Sequence, residues 1–292
     1  MWICENTGDY ELLDASDGQR LERWGKYILI RPDPQVIWKG VRRHPAWKKA
    51  DAAYSRSSSG GGAWNRNALP ENWTVKVAGY TFLIKPMGFK HTGLFPEQSV
   101  NWLWIDSLVK KRVSEKGGAK VLNLFAYTGG ASVAAAFAGA EVVHVDAAKN
   151  MVQMAKENMR LSGLAEAKCR YLVDDCLKFV QREIRRGNTY DGILMDPPSY
   201  GRGPNGETWH LEDNIHEMIR EAAKLLSDDP LFFLVNSYTT GLSGSAVKYL
   251  LEEEVTSRKG GKVQCDEIGL LVRQTGRALP CGFSTRWQKT TE

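Results

Sequence analysis

Two kinds of apolar spacing divide the chain. Through residues 8–40 the apolar positions fall in short alternating runs cut by turn residues, as in "YELLDASDG" and "KYILIRPDPQVIW", the spacing of half-buried strands. "WTVKVAGYTFLIKP" alternates on both sides of Ala78-Gly79 and predicts a hairpin. "SRSSSGGGAWNRN", residues 55–67, has no period and predicts a flexible polar loop that orders when a ligand arrives. From about residue 98 the spacing becomes helical in "EQSVNWLWIDSLVKKRVSEKG", closed by a glycine stop. Strands "KVLNLFA", "EVVHVD", "CRYLVD", "YDGILMD" and "LFFLVNS" then alternate with helices. These helices run from Ala131 and through "AKNMVQMAKENMRLSG", "CLKFVQREIRRG", "LEDNIHEMIREAAKLLSD" and "GSAVKYLLEEEVTSRKG". Five apolar strands alternating with amphipathic helices predict a parallel sheet covered on both faces. The tail "VQCDEIGLLVRQTGRALPCGFSTRW" adds two strands with no helix between them. The predicted fold class is α/β: a Rossmann-like seven-stranded sheet over 86–292, preceded by a small β-rich domain over 1–85.

Ligands of open α/β sheets bind beyond the carboxyl ends of the strands, and the candidate chemistry lies there. "ILMDPPSYGRG" ends a buried strand on Asp196 and forbids its continuation, because Pro197 and Pro198 offer no N–H to a ladder. Taken alone, Asp-Pro-Pro is also a plain strand-ending turn. "VLNLFAYTGG" leaves the first strand at Phe125 and reaches Gly129-Gly130 before a helix, where backbone N–H groups can approach a ligand. The G-x-G-x-x-G of a dinucleotide site and the G-K-[ST] of a triphosphate loop are both absent. Asp146 ends the second strand and can accept both hydroxyls of a ribose; capping the next helix is the alternative. Asp175 follows the third strand and can accept an adenine amino group, although Asp174 or Asp175 equally suits a helix cap. Three neighbouring strand ends carrying acids fit one adenosine-bearing ligand.

Composition sharpens this picture in two places. The net charge of +5 arises entirely in residues 1–90, with 14 Lys/Arg against 9 Asp/Glu, while the remaining residues hold 25 of each. The same stretch carries six of the ten tryptophans: Trp2, Trp24, Trp38, Trp47, Trp64 and Trp73. Cations interleaved with aromatics suit a phosphate backbone with unstacked bases; a basic module with tryptophan as core filler is the alternative. The five cysteines lie singly, without CxxC spacing, and the five histidines form no HxxxH or HxH pair, so no metal site is predicted. No apolar run reaches membrane-spanning length. The opening lacks a basic leader and long apolar core. A cytoplasmic protein that does not enter membranes is expected. The oligomeric state is left open.

"GFKHTGLFPEQ", "VLNLFAYTGGAS", "VD", "VDD", "LMDPPSYGRG" and "LVNSYTTG", in this order, resemble the motifs of class I S-adenosylmethionine-dependent methyltransferases. More narrowly, they resemble the bacterial large-subunit ribosomal RNA methyltransferases that modify cytosine C5 or guanine N7. The resemblance covers residues 86–240. It implies S-adenosylmethionine as cofactor and RNA, ribosomal RNA in particular, as substrate. Phe125, Tyr127, Thr128 and Gly129 would line the methionine end and sugar. Asp146 would hold the ribose and Asp175 the adenine amino group, beside Cys176, while Asp196 would floor the sulfonium. Lys90, Thr92, Gly93 and Gln98 would close over the amino-acid end, with Phe89 and Phe95 excluding water. A simple interdomain linker is the other reading of that segment.

Cytosine C5 needs a thiolate adding at C6, yet "DPPSYGRGP" and "LFFLVNSYTTGLS" contain no cysteine. Cys281 lies in the tail, poorly placed for a nucleophile. A nitrogen acceptor is therefore favoured, with Asp196, Pro197, Pro198, Tyr200 and Asn236 as the catalytic set. Tyr200 would stack on an extruded base, Asp196 with Ser199 or Asn236 would bond its edge, and Arg202 and Arg43 would meet phosphates. The competing readings are a methyltransferase for a small molecule or protein side chain, and a non-catalytic adenosine-ligand or RNA-binding factor.

Overall fold

The computed structural model describes residues 1–4, 7–57, 61–66, 69–239 and 241–290. The chain forms two compact units, Met1–Val100 with Ile268–Cys281, and Asn101–Glu267 with Gly282–Glu292. Segments of the tail belong to both units.

The first unit contains β1 (Trp2–Ile3), β2 (Tyr10–Ser16), β3 (Gln19–Trp24), β4 (Tyr27–Pro32), β5 (Ala52–Arg56), β6 (Gly62–Arg66), β7 (Trp73–Val77) and β8 (Tyr80–Ile84). β2, β3 and β4 form an antiparallel meander, β4 pairs with β5 in parallel, and β5 with β6 antiparallel. The returning tail pairs Ile268 with Trp2 and Val272 with Leu12. β7 and β8 make the expected hairpin, turning through Ala78 (φ 51°) and Gly79 (φ 89°). Two successive positive φ values match the twist of the strands that they join. Leu13, Leu21, Ile30 and Trp47 pack as one apolar cluster. Beside Tyr10 and Trp24, the fully buried Glu22 accepts from Arg31 Nε and Nη2 (2.5 and 2.7 Å) and from the Tyr10 hydroxyl (2.9 Å).

The polar stretch 55–67 departs from expectation. Its first and later residues belong to β5 and β6, in register from Ala52↔Arg66 to Arg56↔Gly62. The Tyr54 and Trp64 rings meet across the pair at 5.5 Å, an aromatic contact that the surrounding serines and glycines hide from any periodicity count. Residues 58–60 and 67 of that stretch lie outside the described residues.

The second unit runs α1 (Ser99–Lys116), β9 (Lys120–Leu124), α2 (Gly130–Phe137), β10 (Glu141–Asp146), α3 (Lys149–Leu161), β11 (Cys169–Val173), α4 (Cys176–Arg185) and β12 (Gly192–Met195). It continues with β13 (Tyr200–Arg202), β14 (Thr208–His210), α5 (Leu211–Ala223), β15 (Phe232–Ser237), α6 (Gly244–Leu251), β16 (Lys262–Val272) and β17 (Arg277–Gln288). Its strand order is β11-β10-β9-β12-β15-β17-β16, the predicted seven-stranded Rossmann-like sheet. β9 to β12 and β15 are parallel, and β17 is antiparallel to β15. The short antiparallel ribbon β13–β14 was not foreseen. Leu122, Val145, Ile193, Met195, Phe233, Phe179, Ile215 and Met218 belong to the large core of this unit. No helix among the described residues is long and apolar enough to cross a membrane.

Gly192 opens β12 where the neighbouring strand brings Phe232 across it. A Cβ there would lie 2.4 Å from Phe232 Cζ. Gly192→Val is expected to cost about 1–3 kcal/mol by overpacking, read as a lower urea midpoint at unchanged m-value. Gly118→Ala, with nothing within 4 Å of the added carbon, should leave the midpoint in place.

Candidate active site

Between β9 and α2 the chain makes a turn that its residues do not adopt freely. Phe125 and Tyr127 have φ of 51° and 50°, and Gly129 has φ of 82°; the first two pay a steric penalty that glycine escapes. The turn is held from several sides. Tyr127 N–H donates to Asp146 Oδ2 at 2.7 Å, and Ala126 N–H to the Val145 carbonyl at 3.0 Å. Phe125 N–H points at Cys176 Sγ (3.3 Å), and Asn158 Nδ2 donates to the Thr128 carbonyl (2.8 Å). Gly129 caps α2, and a Cβ on it would lie 2.9 Å from Ala155 Cβ, so the third helix can press directly against the turn.

The acids at the strand ends do different work. Asp146 is not a helix cap: Ala148 holds that position in α3, and Asp146 Oδ1 accepts its N–H at 2.8 Å. Burial raises the Asp146 pKa against the lowering effect of the Ala148 and Tyr127 N–H groups. Asp175 is the cap of α4, accepting from Lys178 N–H through Oδ1 at 2.9 Å, while Asp174 pairs with Arg182. Asp196 follows β12, half-buried, with its N–H directed to the Leu124 carbonyl at 3.4 Å. Pro197 is buried and Pro198 exposed. The structure therefore gathers Phe125, Tyr127, Thr128, Gly129, Asp146, Asp175, Cys176 and Asp196 along the carboxyl edge of β9, β10, β11 and β12.

The remaining expected residues have surroundings of their own. Tyr200 is 52% exposed in β13, its ring 5.1 Å from that of His210, and its hydroxyl accepts from Arg202 Nε at 3.2 Å. Ser199 Oγ lies 2.5 Å from Thr239 Oγ1. Asn236 is buried, with Oδ1 accepting from Asn101 Nδ2 (3.1 Å) and Ser284 Oγ (2.6 Å). That oxygen is thus engaged twice by the fold. Lys90, Thr92, Gly93 and Gln98 lie in the first unit. The Lys90 carbonyl accepts from Arg31 Nη1 (3.2 Å), and its ammonium pKa is lowered by burial and by Arg20. Thr92 is fully buried with no partner for Oγ1 among the described residues, Gly93 has φ of 96°, and Gln98 is buried. Residue 240 of "LVNSYTTG" is outside the described set.

Two residues escaped sequence reasoning. Trp209, in the β13–β14 ribbon, sets its ring 4.8 Å from that of Phe125 and donates through Nε1 to the Pro198 carbonyl at 2.7 Å. The one signal for it was a lone aromatic in the charged stretch "GETWHLED". His144, a core position in "EVVHVD", lies under the turn, with Nδ1 3.0 Å from Ser132 Oγ, which accepts from Asn123 Nδ2 at 2.8 Å.

A family model described as "S-adenosylmethionine-dependent methyltransferase" matches residues 50–259, well over half the chain. The chain belongs to the S-adenosylmethionine-dependent methyltransferase family. The crystal structure titled as the SAM-dependent methyltransferase from Agrobacterium tumefaciens superposes with a TM-score of 0.93 at 38% identity, covering 99% of this chain and 93% of that one. Ribosomal RNA large subunit methyltransferase K/L of Pseudoalteromonas atlantica is 32% identical over 90% of this chain and 38% of its own length. Ribosomal RNA large subunit methyltransferase I of Cronobacter sakazakii is 30% identical over 68% of this chain and 54% of its own. The chain thus spans from about two-fifths to just over half of these two relatives.

The residues present fit the family's cofactor. Each Asp146 oxygen takes one backbone N–H, and a carboxylate offers about four lone-pair sites, so acceptors remain for a ribose diol. Asp175 Oδ1 caps its helix, leaving Oδ2 to receive an amino group. Among the described residues no group of three or more His, Cys, Asp or Glu could hold a metal ion.

Burial holds the His144 pKa down at about 3, against an ordinary value of 6.5. Between those values the unfolded chain binds the proton and the folded one does not, so stability falls as pH drops through that window. The expected loss is about 1.4 kcal/mol per pH unit below 6.5. His91 of the first unit, also held near 3 by burial and Arg31, acts with the same sign. Thermal melts from neutral to acidic pH should therefore show a shallower decline in His144→Gln than in the parent.

Proposed function

We propose that this chain transfers a methyl group from S-adenosylmethionine to a base of RNA, in large-subunit ribosomal RNA, at a nitrogen acceptor. The observation that carries the reading is the turn Phe125–Gly129, tied to Asp146 and set beside the Asp196-Pro197-Pro198 strand end. The named relatives support the choice of RNA.

In this reading Asp146 holds the ribose, Asp175 the adenine amino group, and the Phe125–Gly129 backbone the methionine portion. Lys90, Thr92, Gly93 and Gln98 serve its amino-acid end, as the motif resemblance assigns them. The bound cofactor supplies an electrophilic methyl on a sulfonium. The protein's part is alignment and exclusion of water, and orientation alone can be worth roughly 7–11 kcal/mol. Asp196 and Ser199 accept from or donate to the edge of the target base, and Tyr200 stacks on its face. Trp209 and Phe125 shield the gap from water, and Arg202 meets a flanking phosphate.

The state of the thiols favours nitrogen over cytosine C5. A C5 acceptor needs a thiolate, whereas burial raises the Cys176, Cys265 and Cys281 pKa values and lifts Cys169 to about 11. Cys176 is further engaged by Phe125 N–H. An amino or ring nitrogen needs no covalent help.

Tritiated S-adenosylmethionine offered with large-subunit ribosomal RNA should label the RNA, and nuclease digestion should place the methyl on a base nitrogen. Label in protein or small metabolites, with none in RNA, would overturn the substrate assignment. Asp146→Ala is expected to weaken cofactor uptake at least tenfold by calorimetry, because it removes both the diol acceptor and the anchor of Tyr127. Asp196→Ala should cut transfer by about 10²-fold or more with cofactor uptake within a few-fold of the parent.

A further inference from the structure

Between Asp33 and Asp51 the chain carries Lys39, Arg42, Arg43, Lys48 and Lys49 and no carboxylate. Residues 37–43, "IWKGVRR", are exposed without a break. Ile37 is 85% exposed, Val41 79% and Trp38 40%. Looseness does not account for this, because the segment is tied down along its length. The Trp38 carbonyl accepts from Asp17 N–H (3.1 Å) and the Val36 carbonyl from Gly18 N–H (3.0 Å), while Trp38 Nε1 donates to the Ala15 carbonyl (2.7 Å). The buried Asp14 carboxylate accepts through Oδ2 from Arg43 N–H (3.0 Å), His44 N–H (3.2 Å) and Trp47 Nε1 (2.8 Å). Those bonds and the one from Ala15 N–H hold its pKa low against burial, so the anchor stays ionised.

Not every cation on this strap is available. Arg42 lies over the Trp47 ring at 4.5 Å, bonds Gln19 and sits 4.0 Å from Asp17. Lys39, Arg43, Lys48 and Lys49 are exposed and make no ion pair among the described residues. A rigid strap that displays unopposed cations beside apolar side chains is complementary to a polyanion whose bases offer flat apolar faces.

We propose that the strap Ile37–Lys49 is an RNA-docking surface: Lys39, Arg43, Lys48 and Lys49 engage phosphates, and Ile37, Trp38 and Val41 lie against unstacked bases. The inference rests on the RNA reading above and adds where the strand is gripped. A single-stranded partner suits it better than a duplex, because exposed apolar side chains gain only against bases that are free of their stack.

The test is binding of a short labelled single-stranded RNA of mixed sequence to the full chain over a salt series. Serine at Lys39, Arg43, Lys48 and Lys49 together is expected to weaken binding at least tenfold. It should also flatten the slope of log affinity against log salt by about 3, from roughly 0.7 per phosphate contact. Ile37→Ser with Val41→Ser should weaken binding while keeping the parental slope. In the parent protein, photo-crosslinks from the RNA should map to residues 37–49. Parental affinity and slope in the fourfold variant, or crosslinks confined to other residues, would overturn the proposal while leaving RNA as substrate. Loss of binding to phosphatidylserine vesicles with RNA binding unchanged would assign the strap to a membrane surface and likewise overturn it. A parent protein that neither binds nor methylates RNA would remove both readings.

Discussion

The carboxylate of Asp146 joins two neighbouring strand ends into one site. One oxygen receives the Tyr127 N–H from the turn after β9, and the other receives the Ala148 N–H from its own strand end. Hydrogen bonds to a charged acceptor contribute roughly 1.5–3 kcal/mol each, and a residue held in a sparsely populated backbone region costs about 1–3 kcal/mol. The two effects are of the same order, which is why Phe125 and Tyr127 can persist at positive φ without being glycines. With the turn so fixed, Ala155 of α3 presses on Gly129 and Cys176 Sγ faces Phe125 N–H. In the proposed reading a ligand would meet a backbone already in shape, so the entropy of ordering it would be met during folding rather than on binding.

Charge in the first unit is sorted by depth. Inside, Glu22 is bracketed by Arg31 and Arg20, with Arg20 also 3.5 Å from Asp33. Outside, Lys39, Arg43, Lys48 and Lys49 have no such counterparts among the described residues. Among the tryptophans, Trp24 and Trp47 are buried while Trp38 is exposed. Core filling and surface display, weighed as rivals from the sequence, thus share the same residue type.

Most of the second unit was legible because each strand is a short apolar run and each helix has one apolar face, which together leave a parallel sheet little freedom. The strand-end acids were legible for the same reason: a carboxylate closing a buried run stands out. Their division of labour was not. Whether Asp174 or Asp175 caps α4 depends on which backbone N–H groups the turn presents, and Asp175 takes Lys178 N–H while Asp174 turns to Arg182. The surroundings of Asn236, expected at a base edge, were not legible either: the register of β17 brings Ser284 against its Oδ1. Trp209 and the β13–β14 ribbon were missed because three-residue strands among glycines leave no period to count. The strand in 62–66 was hidden likewise, its pairing decided by partners across the hairpin.

The end of β12 has a polarity of its own. Pro197 and Pro198 carry no N–H, and the N–H of Asp196 is turned inward to Leu124. These three residues thus add a carboxylate and carbonyls to the tip, the Pro198 carbonyl being taken by Trp209 Nε1. In the proposed reading, a nucleobase at Asp196 would be recognised by the hydrogens it offers, from an exocyclic amine or a ring imino group. Discrimination among bases would then begin with the two amide protons that Pro197 and Pro198 lack.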